Sequence, residues 1–575
     1  MCPNQADRPA PPAWLAYEPT ELRFGTSGLR GRVAEMTDLE IYINARGFLE
    51  YLQEVGDATA GEPIAIAEDL RREDPKTGIE SSPRIARAVV QAIADAGFAP
   101  LHYGCIPTPA LAYQAGQRAM ASVMVTGSHI PADRNGVKFY KKGGEVLKAD
   151  EGGILAAVRR VRAEQYAQSA AESAFDERGA LRAPPESPGV DGSAAAAYVE
   201  RYTSLFAGRR PLSGRRIVVY EHSAVGRDLL TRILDTLGAE TIGVDRSDAF
   251  VSVDTEDVTA ADEARFRRYV EEHRPDAVVS TDGDSDRPLV IDEQGRFHRG
   301  DVLGIVTAEL VGARFAVVPI STSDALDLRV AQQRAEGGTP LRVRKTRIGS
   351  PYVIAAMHEA AAEGIEGVVG WEANGGFLTA TDVQLGDGVL TALATRDAML
   401  PILAALLCAA DRAVPLSRLF DELPPRATRA GLLDDFPPDR SRAILAQLRP
   451  GDADVVEVVF QGGAVEVARS SGADQGLATA PAELASELHA CRQRAARFFG
   501  ADQGFGPVER MSFLDGVRIW FAGGDVAHLR PSGNAPQFRI YAVSDTQQRA
   551  DAIVAEAIAE PNGQLRRMER ELASA

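Results

Sequence analysis

Apolar and polar positions along most of the chain follow two alternating patterns. Ile85, Val89 and Ile93 recur every four residues, which predicts a helix with one buried face that ends at Gly97. Short apolar runs without this spacing, such as Ala121 to Val125, are typical of buried strands. Because helical and extended segments of this kind take turns, the pattern predicts α/β layers with mainly parallel strands.

The middle of the chain carries the clearest alternation. Predicted strands there are Arg216–Tyr220, Asp276–Ser280, Leu289–Asp292, Phe315–Ile320, Leu341–Arg344 and Gly367–Gly370, and predicted helices are Arg227–Leu237, Asp324–Gln333 and Pro351–Ala362. Two segments rich in turn-forming residues, 164–193 and 423–438, predict domain boundaries. After the second boundary, Gly516–Phe521 and Val526–Leu529 are typical of hairpin strands, so the C-terminal domain is expected to differ from the others.

Composition sets the size of the protein and narrows its function. At about 150 residues per domain, 575 residues suggest about four domains. The 81 acidic and 63 basic residues give a formal net charge of −18, which disfavours nucleic acids and anionic membranes as partners. The N-terminus lacks the pattern of a secretory signal, and no apolar run approaches the ~20 residues of a membrane-spanning helix. Four scattered cysteines without a CxxC pair favour a cytoplasmic setting.

Polar loops follow several predicted strands, where the ligand sites of α/β sheets lie. The most specific is TDGDSDR, Thr281 to Arg287, in which three aspartates alternate with small residues. These aspartates are Asp282, Asp284 and Asp286. Carboxylates this close repel one another unless a cation lies among them, and oxygen ligands suit Mg²⁺. Arg287 offers a guanidinium to an anion beside the metal. One alternative is a solvated acidic turn. The other is an EF-hand, which is disfavoured because a strand is predicted directly after the loop.

The segment VTGSHIPADRNGVKFY, Val125 to Tyr140, offers a candidate nucleophile. Ser128 follows a predicted strand and is flanked by Gly127 and His129, and Lys138 brings a positive charge near the turn. A serine here could attack or carry a phosphoryl group, but adjacency alone does not make Ser128 and His129 a catalytic pair. From the spacing alone, an ordinary turn is the stronger interpretation.

Two Gly-rich segments complete the set. In GWEANGGF, Gly370 to Phe377, Glu372 could accept hydrogen bonds from two hydroxyl groups of a polyol. In LRPSGNAPQFRIY, Leu529 to Tyr541, basic side chains and backbone amides suggest a phosphate nest. The members of this nest are Arg530, Ser532, Gly533, Asn534 and Arg539. Arg347, in the run RVRKTR, is a further candidate ligand contact. The alternative for GWEANGGF is a flexible turn, and for LRPSGNAPQFRIY it is a hairpin with surface arginines. For the run RVRKTR the alternative is a solvated strand edge.

These four segments, in this order, resemble the motifs of the α-D-phosphohexomutase superfamily. The resemblance extends from FGTSGLRG, at Phe24 to Gly31, to RPSGNAP, at Arg530 to Pro536, and so covers nearly the whole chain. TGSHIP is similar to the phosphoserine motif TASHNP, and DGDSDR is similar to the metal motif DGDADR. GWEANGGF lies where the superfamily has its sugar-specificity motif, often GEMSGH, and RPSGNAP resembles the phosphate motif RPSGTEP.

The resemblance implies a four-domain α/β architecture: three α/β sheet domains and a smaller α+β C-terminal domain around a central cleft. A loose arm at residues 1–20 would precede domains at 21–190, 191–299, 300–425 and 426–575, which carry the four motifs in turn. The resemblance also implies an enzyme that moves a phosphoryl group on a sugar phosphate. Ser128 would carry that group, and a hexose 1,6-bisphosphate would be the intermediate.

The same resemblance implies a role for each candidate residue. Mg²⁺ would be held by the three aspartates and by a phosphoryl oxygen on Ser128. Lys138 and Arg30 would assist proton transfer or orient a sugar hydroxyl, whereas His129 would support the turn or contact phosphate. Sugar and phosphate contacts would come from Glu372, Asn374, Arg347, Arg530, Ser532, Gly533, Asn534 and Arg539.

Two motifs depart from the superfamily pattern. Asn374 stands where Ser is usual, and Gly376 stands where several subfamilies have His, which bears on the choice of sugar. Asn534 and Ala535 replace Thr and Glu in the phosphate motif, a change that a nest of backbone amides tolerates. The variants HIPADRNGVKFY and DSDRPL are most similar to bacterial phosphomannomutases. Mannose phosphates are therefore the expected substrates, with glucose, glucosamine and pentose phosphates as alternatives.

Two rival functions fit part of this pattern. A metal-dependent phosphatase with a serine nucleophile usually has more metal ligands, and no His-rich ligand set accompanies DGDSDR. A non-catalytic sugar-phosphate binder would be favoured by loss of the serine or of an aspartate, and neither is lost. Both rivals are therefore disfavoured against the mutase.

Overall fold

A computed structural model describes residues 9–25, 28–470, 476–531 and 536–572. The chain divides into two compact units. The first unit comprises residues 1–318, 341–344 and 349–422, and the second comprises 319–340, 345–348 and 423–575. None of the described helices is both long enough and apolar enough to cross a membrane.

The N-terminal α/β layer has a seven-stranded sheet. Its elements are β1 (Arg23–Phe24), β2 (Gly28–Arg32), α1 (Asp38–Glu54), β3 (Pro63–Glu68), α2 (Ser82–Asp95), β4 (Ala99–Cys105), α3 (Thr108–Gln117), β5 (Ser122–Val125), β6 (Arg134–Lys141), β7 (Gly144–Glu145) and α4 (Lys148–Tyr166). The strand order is β1-β2-β6-β5-β3-β4, with β7 beside β6. Strand β3 pairs in parallel with β4 and β5, whereas β6 pairs antiparallel with β5 and β2.

The second α/β layer has five strands in the order β12-β11-β10-β8-β9. Its elements are α5 (Ser193–Thr203), β8 (Arg216–Tyr220), α6 (Arg227–Thr236), β9 (Glu240–Val244), α7 (Ala260–His273), β10 (Ala277–Thr281), β11 (Pro288–Asp292) and β12 (Phe297–His298). Strand β8 pairs in parallel with β9 and β10, and β11 then returns antiparallel to β10.

The third layer has a five-stranded sheet in the order β14-β13-β15-β16-β19 and a separate β17-β18 hairpin. Its elements are α8 (Gly300–Leu310), β13 (Phe315–Pro319), α9 (Ala325–Ala335), β14 (Arg342–Thr346), α10 (Ser350–Ala362), β15 (Val368–Trp371), β16 (Phe377–Thr379), β17 (Val383–Leu385), β18 (Gly388–Leu390), β19 (Leu393–Asp397), α11 (Met399–Asp411) and α12 (Leu416–Asp421). Strand β15 pairs in parallel with β13 and antiparallel with β16.

The C-terminal part of the second unit is built on an eight-stranded sheet in the order β20-β27-β26-β25-β24-β21-β22-β23. Its elements are β20 (Ala427–Leu433), α13 (Pro438–Gln447), β21 (Val455–Gln461), β22 (Ala464–Arg469), β23 (Ala478–Thr479), α14 (Ala482–Ala496), β24 (Val508–Ser512), β25 (Val517–Phe521), β26 (Val526–Pro531), β27 (Phe538–Ser544), α15 (Gln547–Ile558) and α16 (Gln564–Leu572). The predicted change to hairpin strands after the second boundary agrees with these bounds.

The four-domain α/β fold class is confirmed, but the expectation of mainly parallel strands is too simple. Each of the three α/β sheets joins parallel strands to an antiparallel return strand. The returns occur because the loops after β5, β10 and β15 span only five to eight residues, and a parallel connection needs a dozen or more. We call these connections the serine loop (residues 126–133), the metal loop (282–287) and the sugar loop (372–376).

Two segments differ from the expectation in detail. Residues 9–20, expected as a loose arm, contact the N-terminal layer: Trp14 Nε1 donates to Gln168 O at 2.9 Å, and Trp14 and Leu15 pack against its core. The predicted boundary at 423–438 contains strand β20, which pairs with β27. Pattern analysis missed this edge strand because most of its side chains are at least partly exposed and a pair of prolines lies on each side of it. The domain limits drawn from the sequence stay predictions.

Candidate active site

The serine loop holds Ser128 in an unusual backbone conformation. Its φ angle is +54°, in the left-handed region, and its side chain is buried. Such a conformation costs a non-Gly residue roughly 1–2 kcal/mol. The Ser128 N–H donates to Thr126 Oγ1 at 2.8 Å, and its carbonyl accepts from Arg71 Nη2 at 2.9 Å. These contacts hold the backbone of Ser128 in place on both sides of its side chain.

A buried pair beneath the serine loop, Asp69 and Arg71, organises the loop backbone. Arg71 donates to four carbonyl oxygens: those of Ser128, Ile130 and Pro131 in the loop, and that of Arg134 at the start of β6. Asp69 accepts from the Thr126 hydroxyl at 2.8 Å and from the Gly127 N–H at 3.3 Å. A Cβ at Gly127 would lie 2.7 Å from the Arg71 guanidinium, so this close approach needs glycine. Sequence analysis missed the pair, although it follows strand β3 as the other motifs follow their strands.

The metal loop brings Asp282, Asp284 and Asp286 together, as predicted. One carboxylate oxygen from each lies within 4.8 Å of the others, and all three residues are buried. Asp284 Oδ1 and Asp286 Oδ1 have no hydrogen-bond partner within the described part of the chain. Buried carboxylate oxygens that accept no hydrogen bond, at this separation, fit a divalent cation. Burial, and then the charges of Asp284 and Asp286, raise the pKa of Asp282.

The metal loop and the serine loop meet directly. The Ser128 hydroxyl donates to Asp282 Oδ2 at 2.6 Å, and Asp282 Oδ1 accepts from the Asp286 and Arg287 N–H groups at 3.1 and 3.2 Å. A Cβ at Gly283 would lie 2.6 Å from Ser128 O, so glycine permits the contact. The hydroxyl of the candidate nucleophile therefore touches a candidate metal ligand.

Two donors hold the opposite edge of the carboxylate cluster. Lys138 Nζ donates to Asp284 Oδ2 at 2.6 Å and to Asp286 Oδ2 at 2.8 Å. Thr108 Oγ1, at the start of α3, donates to the same Asp284 oxygen at 2.5 Å. Burial lowers the pKa of Lys138, but the two aspartates raise it by more, so Lys138 is a cation. Sequence analysis missed Thr108, since nothing near it in the sequence is charged.

The remaining predicted groups of this unit lie around the cluster. Arg287 Nε is 3.6 Å from Asp286 Oδ1. His129 Nδ1 lies 3.4 Å from the Ser128 hydroxyl. Burial, and then the charges of Arg287 and Arg30, lower the pKa of His129 to about 2, so the imidazole is neutral at pH 7. The positive charges of Arg30 and Arg287 thus act on the same region as Ser128.

The sugar loop adds a buried carboxylate to this region. Glu372 Oε2 accepts from Asn374 Nδ2 at 3.4 Å and from Arg396 Nη1 at 3.2 Å. Asn374 Oδ1 accepts from the Gly376 N–H at 3.0 Å, which closes the loop tip. Arg396 was missed in the sequence. Its signal was weak: one charged pair, Arg396-Asp397, within a long apolar segment.

In the second unit, the predicted phosphate contacts Arg347, Arg530 and Arg539 form a basic cluster. Arg530 and Arg539 are directly opposed in the β26–β27 pair. Asp515 Oδ1 accepts from Arg530 Nε at 3.1 Å, and Asp515 Oδ2 accepts from the Ile348 N–H at 3.0 Å, which brings Arg347 to the same part of the unit. Ser532, Gly533 and Asn534 lie outside the described residues. Opposed like charges destabilise a sheet, so an anion would be stabilising here.

Three segments of the chain match one protein family. Residues 21–165, 196–295 and 300–427 match the α/β/α domains I, II and III of phosphoglucomutase/phosphomannomutase. The chain belongs to this family. The matched segments contain the serine loop, the metal loop and the sugar loop in the order expected of a phosphoglucomutase/phosphomannomutase.

Relatives in the phosphoglucomutase/phosphomannomutase family extend the likeness to nearly the full chain. A phosphomannomutase of Sinorhizobium fredii is 36% identical over 547 residues, which is 94% of this chain and 99% of that protein. A phosphomannomutase of Salmonella muenchen is 33% identical over 539 residues, 93% of this chain and 94% of that protein. A crystal structure of a family protein from Burkholderia thailandensis has a TM-score of 0.61 at 16% identity, with 94% and 98% of the chains covered, and this likeness shows the fold alone.

The family match decides among the functions that the sequence left open. The chain is an enzyme of the phosphosugar mutase type rather than a phosphatase or a non-catalytic binder. The metal loop lies between two paired strands, β10 and β11, so the EF-hand alternative is wrong.

Proposed function

We propose that this protein interconverts hexose 6-phosphates and hexose 1-phosphates, with mannose phosphates preferred, through a phosphoserine at Ser128. The observation that carries the proposal is the 2.6 Å contact between the Ser128 hydroxyl and Asp282 Oδ2 within a cluster of three buried carboxylates. A phosphoryl group on this hydroxyl would lie next to the metal loop. The two phosphomannomutase relatives support the choice of mannose.

Mg²⁺ is the cation that the proposal assigns to the metal loop. Asp282, Asp284 and Asp286 would hold it together with a phosphoryl oxygen on Ser128. When bound, it would offset negative charge on the phosphoryl group during transfer. The support from this chain is the pattern of held and free oxygens: Lys138 and Thr108 hold Oδ2 of Asp284, and its Oδ1 has no hydrogen-bond partner among the described residues.

The transfer consists of two balanced half-reactions. In the first, the bond between phosphorus and Ser128 Oγ breaks as a bond forms between phosphorus and a sugar hydroxyl oxygen, and the hydroxyl proton ends on Ser128 Oγ. The product is a hexose 1,6-bisphosphate. In the second, a bond forms between Ser128 Oγ and the phosphorus of the other phosphoryl group as the bond from that phosphorus to its sugar oxygen breaks, and the proton on Ser128 Oγ passes to this second sugar oxygen. Water must be excluded throughout, because it would hydrolyse the phosphoserine.

Charged side chains of the first unit have distinct roles in this proposal. Lys138 stabilises the developing charge and positions Asp284 and Asp286, since its ammonium group already donates to both carboxylates. Arg287 and Arg30 attract and orient the phosphoryl group. Neutral His129, 3.4 Å from the Ser128 hydroxyl, serves as a hydrogen-bond partner of the serine or its phosphate rather than as the general base.

Sugar and distal phosphate would be bound by the remaining groups. Glu372 accepts hydrogen bonds from two sugar hydroxyls, and Asn374 contacts the position where epimers differ. In the second unit, the proposed phosphate contacts are Arg347, Arg530, Ser532, Gly533, Asn534 and Arg539. The substrate is thus a small sugar phosphate. Cys105, Cys408 and Cys491 form no disulfide, which supports a cytoplasmic setting.

A coupled assay tests the proposal. The purified protein, with Mg²⁺ and a trace of hexose 1,6-bisphosphate, is assayed on mannose, glucose, glucosamine and ribose 1-phosphates. We expect the highest kcat/KM with mannose 1-phosphate. Higher kcat/KM with glucose 1-phosphate would replace mannose by glucose in the proposal, and turnover of none of the four would overturn it.

A further inference from the structure

Arg396 is a buried guanidinium between the metal loop and the sugar loop. It projects from strand β19. Its Nε and Nη2 atoms donate to Asp286 Oδ2 at 3.2 and 2.8 Å, and its Nη1 atom donates to Glu372 Oε2 at 3.2 Å. One side chain therefore contacts both a proposed metal ligand and the proposed sugar-binding carboxylate.

The neighbours of Arg396 in strand β19 are anchored by hydrogen bonds of their own. Thr395 Oγ1 donates to Glu145 Oε1 at 2.6 Å, and Asp397 Oδ1 accepts from the Tyr198 hydroxyl at 2.5 Å. Ser350 Oγ accepts from Arg396 Nη1 at 2.9 Å, which holds the guanidinium itself. These anchors fix the segment of strand from which Arg396 projects.

Gly376 makes room for this side chain. A Cβ at Gly376 would lie 2.6 to 2.7 Å from three carbon atoms of the Arg396 stem, closer than real contacts allow. Arg396 can therefore occupy this position only because residue 376 is a glycine. The positive charge beside Glu372 thus comes from Arg396 in strand β19, outside the sugar loop.

Two carboxylates, Asp286 and Glu372, accept hydrogen bonds from Arg396. Lys138 and Arg396 hold Asp286 Oδ2, and Asp286 Oδ1 has no hydrogen-bond partner in the part of the chain that the structure describes. A divalent cation at that oxygen would neutralise Asp286 and weaken its attraction for Arg396. The charge of Arg396 would then act more strongly on Glu372 and on an anionic sugar.

We propose that Arg396 is a positioning residue that couples the metal loop to the sugar loop. It orients Glu372 through Oε2, and cation binding at Asp286 increases its effect on the sugar site. The cation and the sugar phosphate therefore bind with positive coupling, which is reciprocal for binding free energies. The inference rests on the proposed function for the identity of the sugar ligand.

The test compares the full-length, dephosphorylated protein with its Arg396→Met variant. Mn²⁺ binding is followed by electron paramagnetic resonance, and mannose 6-phosphate binding by calorimetry with and without Mn²⁺. We expect the variant to bind mannose 6-phosphate about 10- to 100-fold more weakly, as for loss of a charge-assisted hydrogen bond. We expect its Mn²⁺ affinity without sugar to be unchanged or higher, because a positive charge beside Asp286 is gone, and its coupling factor to be smaller.

Weaker sugar binding without weaker Mn²⁺ binding separates a positioning role from structural damage, because structural damage would weaken the binding of both ligands. Weaker Mn²⁺ binding by Arg396→Met, or unchanged sugar binding, overturns the inference. Arg396→Lys keeps the charge and should recover part of the coupling. Arg215→Met removes an equal charge that pairs with Asp276 at the other end of the β10 strand, and it should leave both affinities unchanged.

A double variant tests whether Arg396 acts through Glu372. If it does, Arg396→Met should cost much less sugar affinity in a Glu372→Gln background than in the wild type. Fully additive losses overturn the inference. If the wild type binds no mannose 6-phosphate, the proposed function fails. The Mn²⁺ titration uses no sugar, so it still tests Arg396 in that case.

Discussion

The loops of the first unit and the basic cluster of the second unit organise charge in opposite ways. In the first unit, Asp284 and Asp286 accept hydrogen bonds from protein donors through one oxygen each, whereas Asp282 accepts them through both oxygens. In the second unit, Arg530 and Arg539 face each other across a strand pair, with Asp515 as a partner of Arg530.

The difference shows which ligand each region is prepared for. Where carboxylates converge with free oxygens, a cation completes the arrangement, and where guanidinium groups converge, an anion does. The first region is also rigidly supported, since Arg71 alone donates to three carbonyl oxygens of the serine loop and to one at the start of β6. Substitutions in the two regions should therefore differ in size and in kind.

The largest effect is expected from Ser128→Ala. Loss of the hydroxyl removes the group that carries the phosphoryl, so turnover should fall by at least about a thousandfold. Intact mass and peptide mapping of the wild type should show a phosphorylated fraction at this residue, and the variant should show none. A variant that keeps near-normal mutase activity would contradict the assignment.

Asp284→Asn should come next. It removes one negative charge from the metal loop while keeping the shape of the side chain, so cation binding should weaken and turnover should fall about 10²–10³-fold. Mg²⁺ should raise the Tm of the wild type by binding the folded state, and this shift should shrink in the variant. If the wild-type Tm ignores Mg²⁺ and activity persists in excess chelator, the first region is not a cation site.

Glu372→Ala should have an intermediate effect. It removes a carboxylate proposed to accept hydrogen bonds from two sugar hydroxyls. For every hexose phosphate, kcat/KM should therefore fall by the factor that corresponds to about 1.5–3 kcal/mol for each lost hydrogen bond. Asn374→Ala is the matched control at the same loop and should instead change the ratio of mannose to glucose turnover. Unchanged kcat/KM in Glu372→Ala, with phosphoserine chemistry intact, would show that this loop does not bind the sugar.

The smallest effect is expected in the second unit, from Arg539→Met. It should raise KM about tenfold or more through one lost charge-assisted contact to phosphate, with little change in kcat. Without phosphate it should stabilise the fold by about 0.2–1 kcal/mol, because a like charge opposite Arg530 is gone. Urea unfolding with and without phosphate checks both signs, and a destabilised variant without phosphate would break the comparison.

Much of the fold and of the candidate site was predictable from the sequence. The apolar periodicity gave the strand Arg216–Tyr220 and the helix that begins at Arg227, because local burial imposes that pattern. The three aspartates of the metal loop lie within one short segment, so their convergence was a local property as well. The side chains around Ser128 come from distant parts of the sequence. Only the resemblance favoured a catalytic role for Ser128 over an ordinary turn.

The tertiary structure alone decided which residues complete the site. Thr108 lies in α3, Arg71 in the connection after β3 and Arg396 in β19, and the tertiary fold brings them to the loops. Pattern analysis could not foresee this, because which oxygen of a carboxylate is held and which stays free depends on side chains distant in sequence. The chemistry of the loops is thus a property of short sequence segments, whereas its orientation and coupling come from long-range packing.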